Sequence, residues 1–269
     1  MKFKTLFAAG ALALAAPAFA AIAPSGNSEL FLVVQDSTAK ESYTLDRGIR
    51  RDAFFVDGQS DLGKTLSFEV ATDSNWVVFL ALSSAANRKW GVLAYSGGLS
   101  NANNSILTTV KAGVTETTMK TTTNQQLTQG TSATTAGSFF SSLNSSGSHA
   151  PANDFTVNGS SVVAEADSGK GYFGESGGTS DTLNANAKFS NLNLIGTASA
   201  FYKVSGSSAS AGGFVALDKF DNSQNPGSWT FDGSSLNYSL AAAVPEPETS
   251  ALMLAGIAAL GLMIQRRRV

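Results

Sequence analysis

The chain has 269 residues, 43% of them hydrophobic and 14% charged, with no cysteine and one histidine. This bounds it to one domain or two small ones and excludes disulfides, thiolate metal sites, a cysteine nucleophile and any metal site built on two histidines. Formal net charge is −2, but with the ends set aside (Lys2, Lys4 and Arg266 to Arg268 against Glu246 and Glu248) the stretch between them carries 13 basic and 18 acidic residues, so nucleic acid is not an expected partner.

Residues 1–20 read MKFKTLFAAGALALAAPAFA. Lys2 and Lys4 give a basic start, Leu6 to Ala16 an apolar stretch, and Pro17 a break. Ala18-Phe19-Ala20 is the small-x-small pattern of signal-peptide cleavage, expected after Ala20. A permanent N-terminal anchor is the alternative, but the apolar run is shorter than the ~20 residues a bilayer requires. The chain is therefore read as exported, with signal peptidase as its first partner.

The body, residues 21–243, shows short apolar or alternating runs separated by turn residues. A charged share below the usual quarter, made up by Gly, Ser, Thr, Asn and Ala, favours β-structure with many turns. Strands are expected at Glu29–Val34, around Tyr43, at Thr65–Val70, at Asn75–Leu82 and at Lys89–Tyr95, with another around Ile106. Residues 120–151 are rich in Thr, Ser, Gln, Asn and Gly; only Leu127, Phe139, Phe140 and Leu143 offer anchors, so a surface loop or a weak helix is expected. Strand signals return at Phe155, where Asn158-Gly159 suggests a hairpin. They continue through Ala187–Gly196, Ser199–Val204, Gly212–Phe220, Ser228–Gly233 and Ser235–Leu240, with a tight turn at Asp232-Gly233. About ten short strands imply a mainly β fold, an antiparallel sandwich-like body.

The body offers little chemistry. His149, in SSGSHAP, reads as a solvated loop residue, and no Gly-x-Ser-x-Gly elbow accompanies it. Asp57 with Asp61 and Asp218 with Asp221 could supply oxygens to calcium, but neither pair has EF-hand spacing and both suit turns. No catalytic, cofactor-binding or metal-binding residue is assigned. A glycan-binding face would draw on Trp76, Trp90 and Trp229 with Tyr43, Tyr95, Tyr172, Tyr202 and Tyr238. Of these, Trp76 and Trp90 sit in apolar runs and read as core, whereas Trp229 is the better candidate for exposure. Gly169–Gly178 lacks the order of a phosphate loop and reads as a glycine-rich turn.

The chain ends in VPEPETSALMLAGIAALGLMIQRRRV, residues 244–269. Pro245 and Pro247 hold Glu246 extended and remove backbone donors. The apolar run 250–264 would span about 22 Å as a helix, short of the ~30 Å hydrocarbon core, and can cross if flanking residues snorkel or the bilayer thins. Arg266, Arg267 and Arg268 would stop on the cytoplasmic side. A plain C-terminal anchor behind a Pro-rich spacer is the alternative.

The Val-Pro-Glu-Pro, short apolar helix and terminal arginines resemble the PEP-CTERM sorting signal, similar in logic to the tripartite LPXTG signal. The resemblance implies a Gram-negative bacterium that makes exopolysaccharide and biofilm. It also implies recognition and processing at Pro245-Glu246-Pro247 by an exosortase, an integral-membrane transpeptidase, with the tail held transiently in the inner membrane. The segment SELFLVVQDSTAKESYTLDRGIRRDAFF is similar to the opening of a group of PEP-CTERM proteins to which no activity attaches. The expectation is an exported, non-enzymatic envelope or extracellular-matrix protein of structural or adhesive type, ending at the cell surface or outside it. An exopolysaccharide-binding module is the alternative, and a secreted hydrolase a further one.

Overall fold

All eight residues of Glu29–Asp36 are buried, as only a strand covered on both faces can be. The computed structural model describes residues 22, 28–96, 104–131, 137–149, 159–168, 171–174 and 188–244. Among these residues the chain forms β1 (Glu29–Asp36), β2 (Glu41–Arg50), α1 (Arg51–Asp57), β3 (Lys64–Glu69), α2 (Ser74–Leu82), β4 (Arg88–Ser96), β5 (Ser105–Thr109), α3 (Glu116–Met119), α4 (Asn124–Thr131), α5 (Ser138–Leu143), β6 (Ser160–Ala164), α6 (Glu165–Ser168), β7 (Asn193–Leu194), β8 (Ser199–Ser205), β9 (Ala216–Lys219), β10 (Ser228–Phe231) and β11 (Ser235–Leu240).

The strands form one antiparallel sheet in the order β3-β11-β10-β8-β5-β4-β1-β2-β6, with β7 added to β4 and β9 to β8. The sheet curls. Arg47 of β2 donates to the Glu69 carbonyl of β3 and lies 5.4 Å over Phe68, although β2 and β3 stand near opposite ends of the strand order. The expected pair of stacked sheets is therefore replaced by a single curled sheet packed on both faces. Its concave face gathers Leu30, Leu32 and Val34 of β1 with Trp90, Phe201, Trp229, Phe231 and Tyr238. Its convex face starts from Phe31 and Val33 of the same strand, as the alternation of side chains requires.

The run Asn75–Leu82, expected as a strand, is α2. Asp73 caps it, accepting from the N–H groups of Asn75 (2.8 Å) and Trp76 (3.1 Å), which a side-chain oxygen does at a helix start. Trp76 and Phe79, one turn apart, are buried while Val77, Val78 and Leu82 stay exposed. The run is apolar all round, so its pattern does not show which face turns inward. Trp76 spans the curl, with ring centroids 5.1 Å from Tyr43 of β2 and 5.4 Å from Phe231 of β10. α1, for which no element was expected, buries Phe54 against Phe220, Trp229 and Tyr238.

The described parts of the polar stretch, residues 120–131 and 137–149, cover the convex face, with α4 and α5 as their weak helices. Leu127, Phe139, Phe140 and Leu143, its four apolar anchors, are all buried there. Carboxamides hold the surrounding coil. Asn124 accepts from Ser207 N–H (3.1 Å) and donates to the Ser210 carbonyl (2.9 Å). Asn193 accepts from Ala112 N–H (2.7 Å) and donates to the Val110 carbonyl (3.1 Å). Tyr172 and Phe173, from the glycine-rich stretch 169–178, are buried in the same cluster.

The tight turn is found where it was expected: Gly233 has φ +95° and Asp232 accepts from the N–H groups of Ser234 and Ser235, both at 2.7 Å. β6 pairs with β2; residues 155–158, the first arm of the expected hairpin, lie outside the described residues. So do residues 1–20 and the run 250–264. Among the described residues no helix is long and apolar enough to cross a membrane.

Candidate functional site

Ala18, Ala20, Pro245, Glu246, Pro247, Arg266, Arg267 and Arg268 lie outside the described residues. The structure does show the ground from which the C-terminal tail departs. β11 pairs with β10 on one side and β3 on the other. Beyond Leu240 a bracket of side chains replaces the strand ladder. Asn222 donates to the Ala241 carbonyl (2.7 Å) and Asn225 to the Ala242 carbonyl (3.1 Å). The Asp61 carbonyl accepts from Ala243 N–H (2.8 Å). Gln224 pairs with Val244 in both directions, accepting from its N–H (2.9 Å) and donating to its carbonyl (2.7 Å).

The bracket is braced in turn. Asn222 Oδ1 accepts from the N–H groups of Gln224 (3.1 Å) and Asn225 (2.8 Å), the turn that an asparagine side chain favours. Asp61 Oδ1 accepts from Ser223 N–H (3.3 Å) and Oγ (3.2 Å). Gly63, at φ +77°, lets the turn after Asp61 approach the exit; a Cβ there would lie 2.6 Å from Ala242 N and 2.8 Å from the Leu240 carbonyl oxygen. Asn222, Gln224 and Asn225 carry no chemistry motif, and only their clustering as amides in a turn near the chain end hints at the bracket.

The carboxylates considered for calcium serve as braces around this exit. Asp57 pairs with Lys64 (2.9 Å) and Asp218 accepts from Gln59 (3.1 Å), while Asp221 takes part through its backbone, which forms an isolated β-bridge with Pro226. Among the described residues no group of three or more His, Cys, Asp or Glu is placed to hold a metal ion.

His149 is buried, not a solvated loop residue: it is 6% exposed, with Nε2 3.5 Å from Thr44 Oγ1, which lies 2.8 Å from Ser161 Oγ. Trp229 is buried too, stacked on Phe68 and packed against Phe54, Phe201 and Tyr238, because alternation along β10 turns it with Phe231 into the concave face. All three tryptophans and all five tyrosines are buried.

A buried acid pair stands near the bulge between β1 and β2. Glu29 and Asp46 are both 0% exposed. Burial is the main reason that both carboxyls sit above the usual carboxylate range; the charge of Asp46 raises Glu29 further, while Arg50 opposes. Among the described residues neither Glu29 side-chain oxygen nor Asp46 Oδ2 has a hydrogen-bond partner, whereas Asp46 Oδ1 accepts from Gly48 N–H (2.9 Å). Sequence reading passed over Glu29 because it opens an apolar strand. The pair is closed to solvent, so it is no hydrolytic dyad open to substrate.

At the other end of the body, Ile22 is buried at 0% exposure, and Asn144 holds it as Gln224 holds Val244. Ile22 N–H donates to Asn144 Oδ1 (2.9 Å) and Asn144 Nδ2 donates to the Ile22 carbonyl (2.8 Å).

Comparison with protein families matches residues 243–268 to the PEP-CTERM protein-sorting motif. No curated protein and no solved structure matches the chain. The motif implies a secreted surface protein targeted to an exosortase, passing through a membrane-anchored intermediate. It begins at Ala243, inside the bracket.

Proposed function

We propose that this chain is an exported envelope or extracellular-matrix protein of structural or adhesive type. Its signal peptide is removed after Ala20, its tail is held in the inner membrane by residues 250–264 with Arg266 to Arg268 on the cytoplasmic side, and it is processed near Pro245-Glu246-Pro247. The carrying observation is the sorting motif at residues 243–268, whose first residues, Ala243 and Val244, are held by the bracket. The burial of every tryptophan and tyrosine removes the aromatic platform on which the glycan-binding reading relied. The solvent-closed Glu29–Asp46 pair lends nothing to a hydrolase.

Terminal-peptide mass spectrometry on protein from native envelope and culture medium tests the reading. An N-terminus at Ala21 and a C-terminus in the region 244–249 are expected. A chain that keeps its Arg266–Arg268 peptide in the membrane, with no shortened form in any fraction, leaves a plain anchor instead.

A further inference from the structure

We infer that the bracket of Asn222, Gln224, Asn225 and the Asp61 carbonyl positions the sorting tail, so that processing takes place C-terminal of Val244. This rests on the sorting reading above. An enzyme that reads an extended peptide takes hold of its backbone N–H and C=O groups, as in strand addition. In residues 241–244 five of those groups are already taken: the carbonyls of Ala241, Ala242 and Val244 and the N–H groups of Ala243 and Val244 are held by the body. Pro245 follows, and a proline has no N–H with which to extend the bracket. The body's grip therefore overlaps the start of the matched motif at Ala243 and reaches the bond before Pro245.

Chain length sharpens the point. Residues 245–249 separate Val244 from the apolar run that starts at Ser250. Five residues reach at most about 3.3–3.6 Å each, so the bracket stands less than about 20 Å from the start of the membrane segment. A membrane-embedded enzyme is left with this short stretch, and the body sets its N-terminal limit. The cut breaks one peptide bond at or beyond Val244–Pro245. The carbonyl carbon passes to water or to an amine, and the released tail's new amine takes the proton that this nucleophile gives up. Gln224 and its neighbours touch neither the reacting atoms nor the enzyme; they are positioning residues.

Two measurements on the full chain test this. In the first, a broad-specificity endoprotease digests the detergent-solubilised protein, and the C-terminus is read by intact mass. The wild type should trim back to Val244 and stop. Asn222→Ala combined with Gln224→Ala should retreat to Leu240 or Ala241, with cuts inside 241–244 appearing about tenfold faster, while the circular dichroism melting of the body stays within a few degrees. Trimming past Val244 in the wild type, or an unchanged front in the folded double variant, overturns the bracket. In the second, both chains are expressed in a strain with an active exosortase and their mature C-termini compared. Wild-type ends at or after Val244, with shorter ends only in the double variant, support the inference; wild-type ends before Val244 overturn it. A tail left uncut in the strain, with digestion still stopping at Val244, refutes the sorting reading and with it the positioning role, but not the grip itself.

Discussion

The two faces of the curled sheet are packed by opposite means. The concave face is built by the strands, which bring aromatic and aliphatic side chains from both ends of the strand order to one place. The convex face is closed by a Ser, Thr and Asn-rich excursion that supplies a few apolar anchors and holds its own backbone with side-chain amides and hydroxyls. One face rests on non-local burial, the other on local anchors with hydrogen-bonded coil. The low charged share of the chain follows in part: polar residues that would carry charge on a solvated surface are neutral here because they work inside.

Removing the largest concave side chain should do the most damage. Trp76→Ala deletes a ring wedged between Tyr43, Phe79 and Phe231 and should cost about 3–5 kcal/mol, with loss of cooperative thermal unfolding of the whole sheet. On the convex face, Phe140→Ala removes a ring packed on Phe31 and Tyr95 and should fall at the low end of that range, about 3 kcal/mol. Its signature should be local: hydrogen exchange in 116–143 should accelerate first while the amides of β10 and β11 stay protected. Equal losses with equal loss of protection would show that the faces unfold as one unit.

What was legible beforehand divides in the same way. β1, β4, β8 and β11 show as apolar or alternating runs because strand period and burial leave a direct mark on residue order. α2 was misread because an all-apolar run hides its period, although Asp73 ahead of it was an available cap signal. The anchors Leu127, Phe139, Phe140 and Leu143 could be named, but not the surface they would cover. The amide brackets left little trace beyond the clustering of Asn222, Gln224 and Asn225: an asparagine accepts and donates to any backbone within reach, and its partner is decided by tertiary structure. The acid pair was hidden for the same reason, since Glu29 and Asp46 meet only through strand pairing.

That pair also belongs to the convex side, since Asp46 stands opposite Phe31. It should make stability fall with rising pH. Both carboxyls keep their protons to higher pH in the folded chain than unfolded. Their contribution is whole below the ordinary carboxylate values near 4 and drains away as pH rises through the folded values, by up to about 1.4 kcal/mol per pH unit for each proton the unfolded chain has lost and the folded chain keeps. Glu29→Gln keeps the side chain's size and removes the Glu29 titration and its charge beside Asp46. Urea melts from pH 5 to 9 should show the wild type weakening and the variant weakening less. Parallel curves would mean that the pair does not hold its proton.

The smallest expected effects separate the two ends of the body. Asn144 and Gln224 make the same two-way bond to the backbone, but Ile22 is fully buried in the convex cluster while Val244 is 70% exposed. A lost hydrogen bond costs more where the groups left behind cannot turn to water. Asn144→Ala should therefore cost about 1–2 kcal/mol, a drop in Tm of a few degrees for a body of this size. Gln224→Ala should cost under about 0.5 kcal/mol, as surface substitutions usually do. If the two melt alike, Ile22 is not anchored as its burial implies. If they differ as expected, the N-terminal end is locked into the fold, whereas the C-terminal end is held at the surface by a clasp that adds little to stability.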